Sequence, residues 1–145
     1  MNFEDVELLD VAGPVEVFSK VPNLEIEMLS PKGLPVTSSQ GVSLGADAGY
    51  SSISGDTLLI PGGEGTRQLV YNDAFLAALK HMAENVETVI SVCTGSALLA
   101  AAGLLEGYAA TSNKRALDWA TSFGTDIAWH RSCLLYTSDA ADERS

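Results

Sequence analysis

The stretch Thr88-Val89-Ile90-Ser91-Val92-Cys93-Thr94-Gly95-Ser96-Ala97-Leu98-Leu99-Ala100-Ala101-Ala102 decides how this chain reads. Its opening residues are mostly β-branched and apolar, as in a buried parallel strand. Its closing run of Ala and Leu is strongly helix-forming and meets Gly103, a residue suited to a helix end. A strand therefore passes into a helix within two or three residues, with Cys93 at the junction. Such junctions lie at the carboxyl end of the sheet, where α/β folds bind ligands. They also adjoin a helix N-terminus, whose partial positive charge favours the thiolate, the reactive form of cysteine. Gly95 permits the tight turn of a nucleophile elbow. A buried structural cysteine is the competing account, and position alone does not separate the two.

Two further pieces have the same character. Thr57-Leu58-Leu59-Ile60 is a short apolar strand that ends in Pro61-Gly62-Gly63. Glycines there allow close backbone approach, so the Gly63 and Thr94 N–H groups are expected to form an oxyanion hole beside the thiol. A plain strand-to-loop turn explains the dipeptide equally well. Upstream, Asp10 stands in Leu8-Leu9-Asp10-Val11-Ala12-Gly13-Pro14, just ahead of an expected helix. It is either a helix-entry residue or a carboxyl held near the thiol to move a proton.

The rest of the chain supplies alternating elements. Gly13-Pro14 is expected to start a helix that runs to about Lys20. Leu24 to Leu29 alternates as a strand does. Val36-Thr37-Ser38 and Val42-Ser43-Leu44 form a hairpin around Gly41. Asp73 is expected to cap a helix carrying Phe75, Leu76, Leu79 and Met82, Tyr108 to Thr111 is a further strand, and Lys114 to about Phe123 is helical before Gly124. Alternating strands and helices predict a parallel sheet with helices on both faces. A βα unit needs a strand before its first helix, yet only Phe3 and its neighbours precede one, so that strand is expected to be missing or stunted.

Length and charge narrow the possibilities. The chain has 145 residues, room for one core, and 46% of them are hydrophobic. A formal net charge of -11 with only eight Lys and Arg disfavours nucleic acid and anionic membrane as partners of this domain. The acidic Met1-Asn2-Phe3-Glu4-Asp5 start is unlike a signal peptide, and a cytoplasmic location is expected. Cys93 and Cys133 show no metal spacing, nor do His81 and His130, so no metal and no cofactor are expected. Residues 133–145 break the preceding pattern and resemble a translated sequencing adapter. They read as a non-native tail, which leaves 1–132 as a partial domain and sets Cys133 aside.

Five segments in this order resemble the ThiJ/PfpI superfamily across residues 3 to 132. They are Leu8 to Pro14, Leu59-Ile60-Pro61-Gly62-Gly63, Ser91-Val92-Cys93-Thr94-Gly95-Ser96, Ala101 to Gly107, and Ala110-Thr111-Ser112-Asn113-Lys114-Arg115-Ala116. The resemblance implies a flavodoxin-like, class I glutamine amidotransferase-like α/β fold, here truncated at both ends, and a homodimer when full-length. The Cys-Thr-Gly-Ser elbow is most similar to the isonitrile hydratase branch, and also to amidase-like sensor domains of AraC-type regulators. The hydratases act on a small-molecule substrate. By that match Cys93 is the nucleophile, Asp10 the acid/base, Thr94 an elbow residue lending its N–H, and Gly63 the second oxyanion donor. Gly62 and Gly95 would line the substrate site. Peptidase relatives carry histidine directly after the elbow cysteine, where this chain has Thr94, and many relatives have histidine where it has Asn113. The resemblance thus points to water addition to an isonitrile, giving an N-substituted formamide. The alternatives are a ligand-sensing regulator domain and a redox or carbonyl-stress protein acting through Cys93.

Overall fold

The structure is a computed structural model that describes residues 1–132; the tail set apart by its sequence lies outside the described residues. In chain order the elements are α1 (Leu8–Phe18), β1 (Leu29–Ser30), β2 (Val36–Thr37), β3 (Ser43–Leu44), β4 (Ala48–Gly49), β5 (Thr57–Ile60), α2 (Thr66–Leu69), α3 (Asp73–Glu84), β6 (Thr88–Ser91), α4 (Gly95–Ala101), β7 (Ala109–Ala110), α5 (Leu117–Ala120) and β8 (Ala128–Trp129). The expected α/β architecture is present. Strands β5 and β6 pair in parallel with Thr57 opposite Thr88, and β1–β4 and β7–β8 are parallel as well. The hairpin β2–β3 is antiparallel, with Val36 opposite Leu44, as the spacing around Gly41 predicts.

The segment before α1 behaves as a stunted strand. The Met1 amino group donates to the Leu59 carbonyl at 3.0 Å, and the Asn2 N–H donates to the Leu29 carbonyl at 2.6 Å. Residues 1–2 therefore tie β1 to β5. Phe3 and Val6 are buried in the core with Ile60, Leu79, Met82 and Leu98. Phe3 and Phe75 meet edge to face at 6.0 Å. Among the described residues no helix is long and apolar enough to cross a membrane.

Four local expectations are corrected. Helix α1 begins at Leu8, not at Gly13-Pro14, so Asp10 lies in its first turn and Pro14 inside it. The cap that makes this possible is distant in sequence: Gln40 Oε1 accepts the Leu8 N–H at 3.0 Å, and Gln40 Nε2 donates to the Glu7 carboxylate at 3.0 Å. The strand expected over Leu24–Leu29 forms only at Leu29–Ser30, where Ala48 and Gly49 supply partners. Leu24 and Ile26 stay 42% and 38% exposed. Asn72, not Asp73, caps α3, its Oδ1 accepting the Phe75 N–H at 3.0 Å. Helix α5 is shorter than Lys114–Phe123 because Asn113 folds the entry into a turn, its Oδ1 accepting from Arg115 N and its carbonyl from Ala116 N.

Candidate active site

The ends of β5 and β6 lie side by side because their registers match, Ile60 opposite Ser91. Each strand leaves the sheet at its next residues, which sets Gly62-Gly63 beside Cys93-Thr94. The elbow forms as expected, and Cys93 takes a φ of +55°, the left-handed region that a non-glycine residue occupies at a cost. What holds it there is a clamp on its carbonyl: the hydroxyls of Ser96 and Ser112 both donate to Cys93 O at 3.1 Å. Gly95 is required by contact, since a Cβ there would stand 2.5 Å from the Ile60 carbonyl oxygen.

The sulfur of Cys93 is half-buried, and three places in the chain surround it. Asn113, just past β7, points Nδ2 at Sγ from 3.3 Å. Asp10, from α1, accepts the Gly62 N–H on Oδ2 at 3.0 Å, which sets its carboxyl at the elbow beside Thr94. Thr94, next in sequence, is buried, 7% exposed, and its hydroxyl oxygen accepts from Gly63 N at 3.0 Å and Thr66 Oγ1 at 3.2 Å. A cavity of about 810 Å³ opens beside the thiol, lined by Cys93, Ser96, Leu105, Thr111 and Asn113 among others.

Electrostatics alter one expectation. Burial pushes the Cys93 thiol above the usual cysteine range; Asn113 pulls it down, the charge of Asp10 raises it, and Thr94 pulls it down. Desolvation is the largest of these influences and acts against the thiolate. Burial also raises the Asp10 carboxyl; the Gly62 N–H opposes that, Glu7 adds to it, and the Cys93 thiol opposes it. The two groups face each other in a partly dry site where two negative charges are disfavoured, which suits a pair that shares one proton.

The structure brings Asp10, Gly62, Gly63, Cys93, Thr94 and Gly95 together, but the glycines play different parts from those expected. Gly63 is not a free oxyanion donor: its N–H donates to Thr94 Oγ1 at 3.0 Å. Gly62 uses its N–H on Asp10 and its carbonyl on the Glu7 N–H at 2.9 Å. Gly95 donates to the Val92 carbonyl at 2.9 Å. The N–H groups of Gly62 and Gly95 are both engaged within the protein, and both glycines permit close packing. A Cβ at Gly62 would meet Thr94 Oγ1 at 2.5 Å and Asp10 Oδ2 at 2.9 Å. Sequence reasoning missed Thr66, whose hydroxyl reaches Thr94 Oγ1 at 3.2 Å, and the two serines of the carbonyl clamp. No local pattern marks Thr66 or Ser112, since both act across the fold, whereas Ser96 lies within the elbow, three residues from Cys93. Asn113 was noted only as a substitution for histidine.

The chain is similar to several known proteins. The chain is 39% identical over 116 residues to an uncharacterized protein in the cpoL 5′ region of Streptomyces lividans, covering 77% of this chain and 82% of that one. It is 35% identical over 112 residues to the isonitrile hydratase of Pseudomonas putida, covering 77% of this chain and 49% of the hydratase. Against the HTH-type transcriptional regulator GbdR of Pseudomonas aeruginosa it is 31% identical over 111 residues, covering 74% of this chain and 30% of the regulator. The crystal structure of a ThiJ/PfpI family protein from Pseudomonas syringae superposes with a TM-score of 0.77 at 31% identity, covering 85% of this chain and 52% of that one. The chain thus spans about half the length of the hydratase and of the solved structure. The DJ-1/PfpI family pattern matches residues 1–139, and with the elbow cysteine, the facing acid and the paired parallel strands in place, the chain belongs to the DJ-1/PfpI family.

Proposed function

We propose that residues 1–132 carry a cysteine-nucleophile hydratase site of the isonitrile type, and that residues 133–145 take no part in it. The observation that carries the reading is the convergence of an acid on the elbow: the Gly62 N–H holds Asp10 Oδ2 at 3.0 Å, and the space beside Gly62 is bounded by Asp10 Oδ2 and by Thr94, the residue after Cys93. Addition to an isonitrile needs a nucleophile and a group that delivers a proton to the same carbon. Cys93 Sγ bonds to the terminal carbon, and the thiol proton passes through Asp10 to that carbon, leaving an S-linked thioimidate. Water then adds to the carbon of the C=N bond and the nitrogen takes up a proton. The C–S bond breaks, its electron pair and a proton return to sulfur, and an N-substituted formamide leaves. Thr94 lends its N–H to the sulfur side of this exchange.

The absence of histidine next to the thiol favours this over peptidase chemistry, since Thr94 and Asn113 offer no base. The identity to the isonitrile hydratase supports the substrate class. The reading includes a homodimer and a cytoplasmic setting, where a thiol stays reduced. The test is turnover of cyclohexyl isonitrile to its formamide by the 145-residue chain, with Cys93→Ala and Asp10→Asn beside it. Equal turnover in Cys93→Ala sinks the reading. A second reading, a ligand-sensing domain, is favoured by the identity to GbdR; source DNA encoding a helix-turn-helix beyond residue 132 would support it.

A further inference from the structure

We propose that Asn113 is a catalytic residue, the fixed hydrogen-bond donor that carries the Cys93 thiolate whenever the electron pair rests on sulfur. The proposal rests on the cysteine-nucleophile reading above and adds a residue to it. Three features of the site support it.

The first is orientation. A side-chain amide has a donor end and an acceptor end that are easily exchanged. Here the exchange is blocked, because Oδ1 accepts the Arg115 N–H at 2.9 Å, a group that can only donate. The NH₂ end is thereby left facing Sγ, 3.3 Å away. The same turn fixes the backbone, with the Asn113 carbonyl accepting from Ala116 N at 3.0 Å. A neighbour in sequence, Ser112, holds the Cys93 carbonyl, so this short segment grips the nucleophile at its carbonyl and at its sulfur.

The second is scarcity of donors. With the Gly62 and Gly63 N–H groups spent on Asp10 and Thr94, the donor that hydrogen-bonds the sulfur among the described residues is Asn113 Nδ2. The third is the kind of partner. Asn113 donates without titrating, so it holds a thiolate without supplying or removing a proton, and the proton is left to Asp10. In the proposed reaction the pair leaves sulfur as the S–C bond forms and returns as that bond breaks. Asn113 Nδ2 donates to sulfur before the first event and after the second.

The experiment is alkylation of the whole chain by iodoacetamide across pH 6 to 11, followed at the Cys93 peptide by mass spectrometry so that Cys133 is read separately. The ionisable groups near the thiol are Asp10, which faces it, and Lys114 and Arg131, which line the same cavity; all three are retained in every variant. Asn113→Ala is expected to move the midpoint up by about one pH unit, roughly tenfold less thiolate at a fixed pH below it. Asn113→Asp keeps the acceptor for Arg115 but swaps the donor for a negative charge, so it should move the midpoint further than Ala does. Asn113→His restores a donor and should recover part of the loss. A midpoint unmoved in Asn113→Ala, or equal shifts in Ala and Asp, overturns the proposal. Should Asn113→Ala fail to fold, the Asp and His variants alone decide, since the Asp midpoint must lie clearly above the His midpoint and equal midpoints overturn the proposal. Isonitrile turnover is measured in parallel. Midpoint shifts without any turnover in the parent chain refute the hydratase reading and leave Asn113 as a thiolate donor; turnover with unmoved midpoints does the reverse.

Discussion

The N–H of Gly62 donates to Oδ2 of Asp10 at 3.0 Å, across 52 residues of sequence. This bond fastens the end of β5 to the first turn of α1 and sets the carboxyl beside the elbow. It also gives the carboxylate a backbone partner that opposes the effect of burial on its proton affinity. The acid's position is thus fixed by one contact, and its proton affinity by burial working against that contact.

Asp10→Asn keeps an acceptor for the Gly62 N–H but has no proton to exchange. Isonitrile turnover is expected to fall by about 10²–10⁴-fold while the fold persists. Steady-state kinetics together with circular dichroism check this; a melting temperature that collapses along with activity would mean the carboxylate is structural.

Gly62→Ala should cost about 1–3 kcal/mol and most activity, because its Cβ collides with Thr94 and Asp10 in a tightly packed corner. Gly45→Ala is the companion control. Gly45 is exposed, with nothing within 4 Å of an added Cβ and an ordinary φ, so this change should be neutral or stabilise by about 0.4–1 kcal/mol. Urea denaturation of both variants measures the contrast.

Thr94→Val removes the buried oxygen that accepts the Gly63 N–H and meets Thr66 Oγ1. About 1–3 kcal/mol of stability should go with it, and Thr94→Ser should restore most of that. A Val variant as stable as the parent would show that water replaces the hydroxyl.

Cys93→Gly should be inactive and at least as stable as the parent, by roughly 1 kcal/mol, since glycine occupies the left-handed region without the Cβ clash. The outcome against this is a clear loss of stability, which would mean that packing of the thiol outweighs the backbone strain.

Burial lowers the Met1 amino group from 8.0 to about 5. The unfolded chain therefore takes up a proton as pH falls below 8, while the folded chain resists until about pH 5. Stability contributed here is complete above pH 8 and is lost progressively down to pH 5. Unfolding midpoints at several pH values test the slope, which a chain blocked at its amino terminus should not show over that range.

Much of the site was legible in the sequence because its pieces are local. A β-branched run, Cys-Thr-Gly-Ser and a poly-Ala/Leu run specify strand, elbow and helix through near-neighbour preferences alone. The same holds for β5 with its Pro-Gly-Gly exit and for the β2–β3 hairpin. The start of α1 was not legible, because its cap is Gln40, 32 residues away. Strand β8 escaped notice since Ala128–Trp129 is too short to show a period.

The sequence by itself thus determined the fold class, the elbow at Cys93 and the candidacy of Asp10. Tertiary structure alone decided what each group near the sulfur does. Gly63 N–H is consumed by Thr94 Oγ1, 31 residues on; Asn113 Nδ2 reaches Sγ across 20 residues; and burial raises the thiol's proton affinity. The physical reason is range. Backbone preferences act over a few residues, whereas hydrogen-bond partners and desolvation depend on which distant segments the packed core brings together.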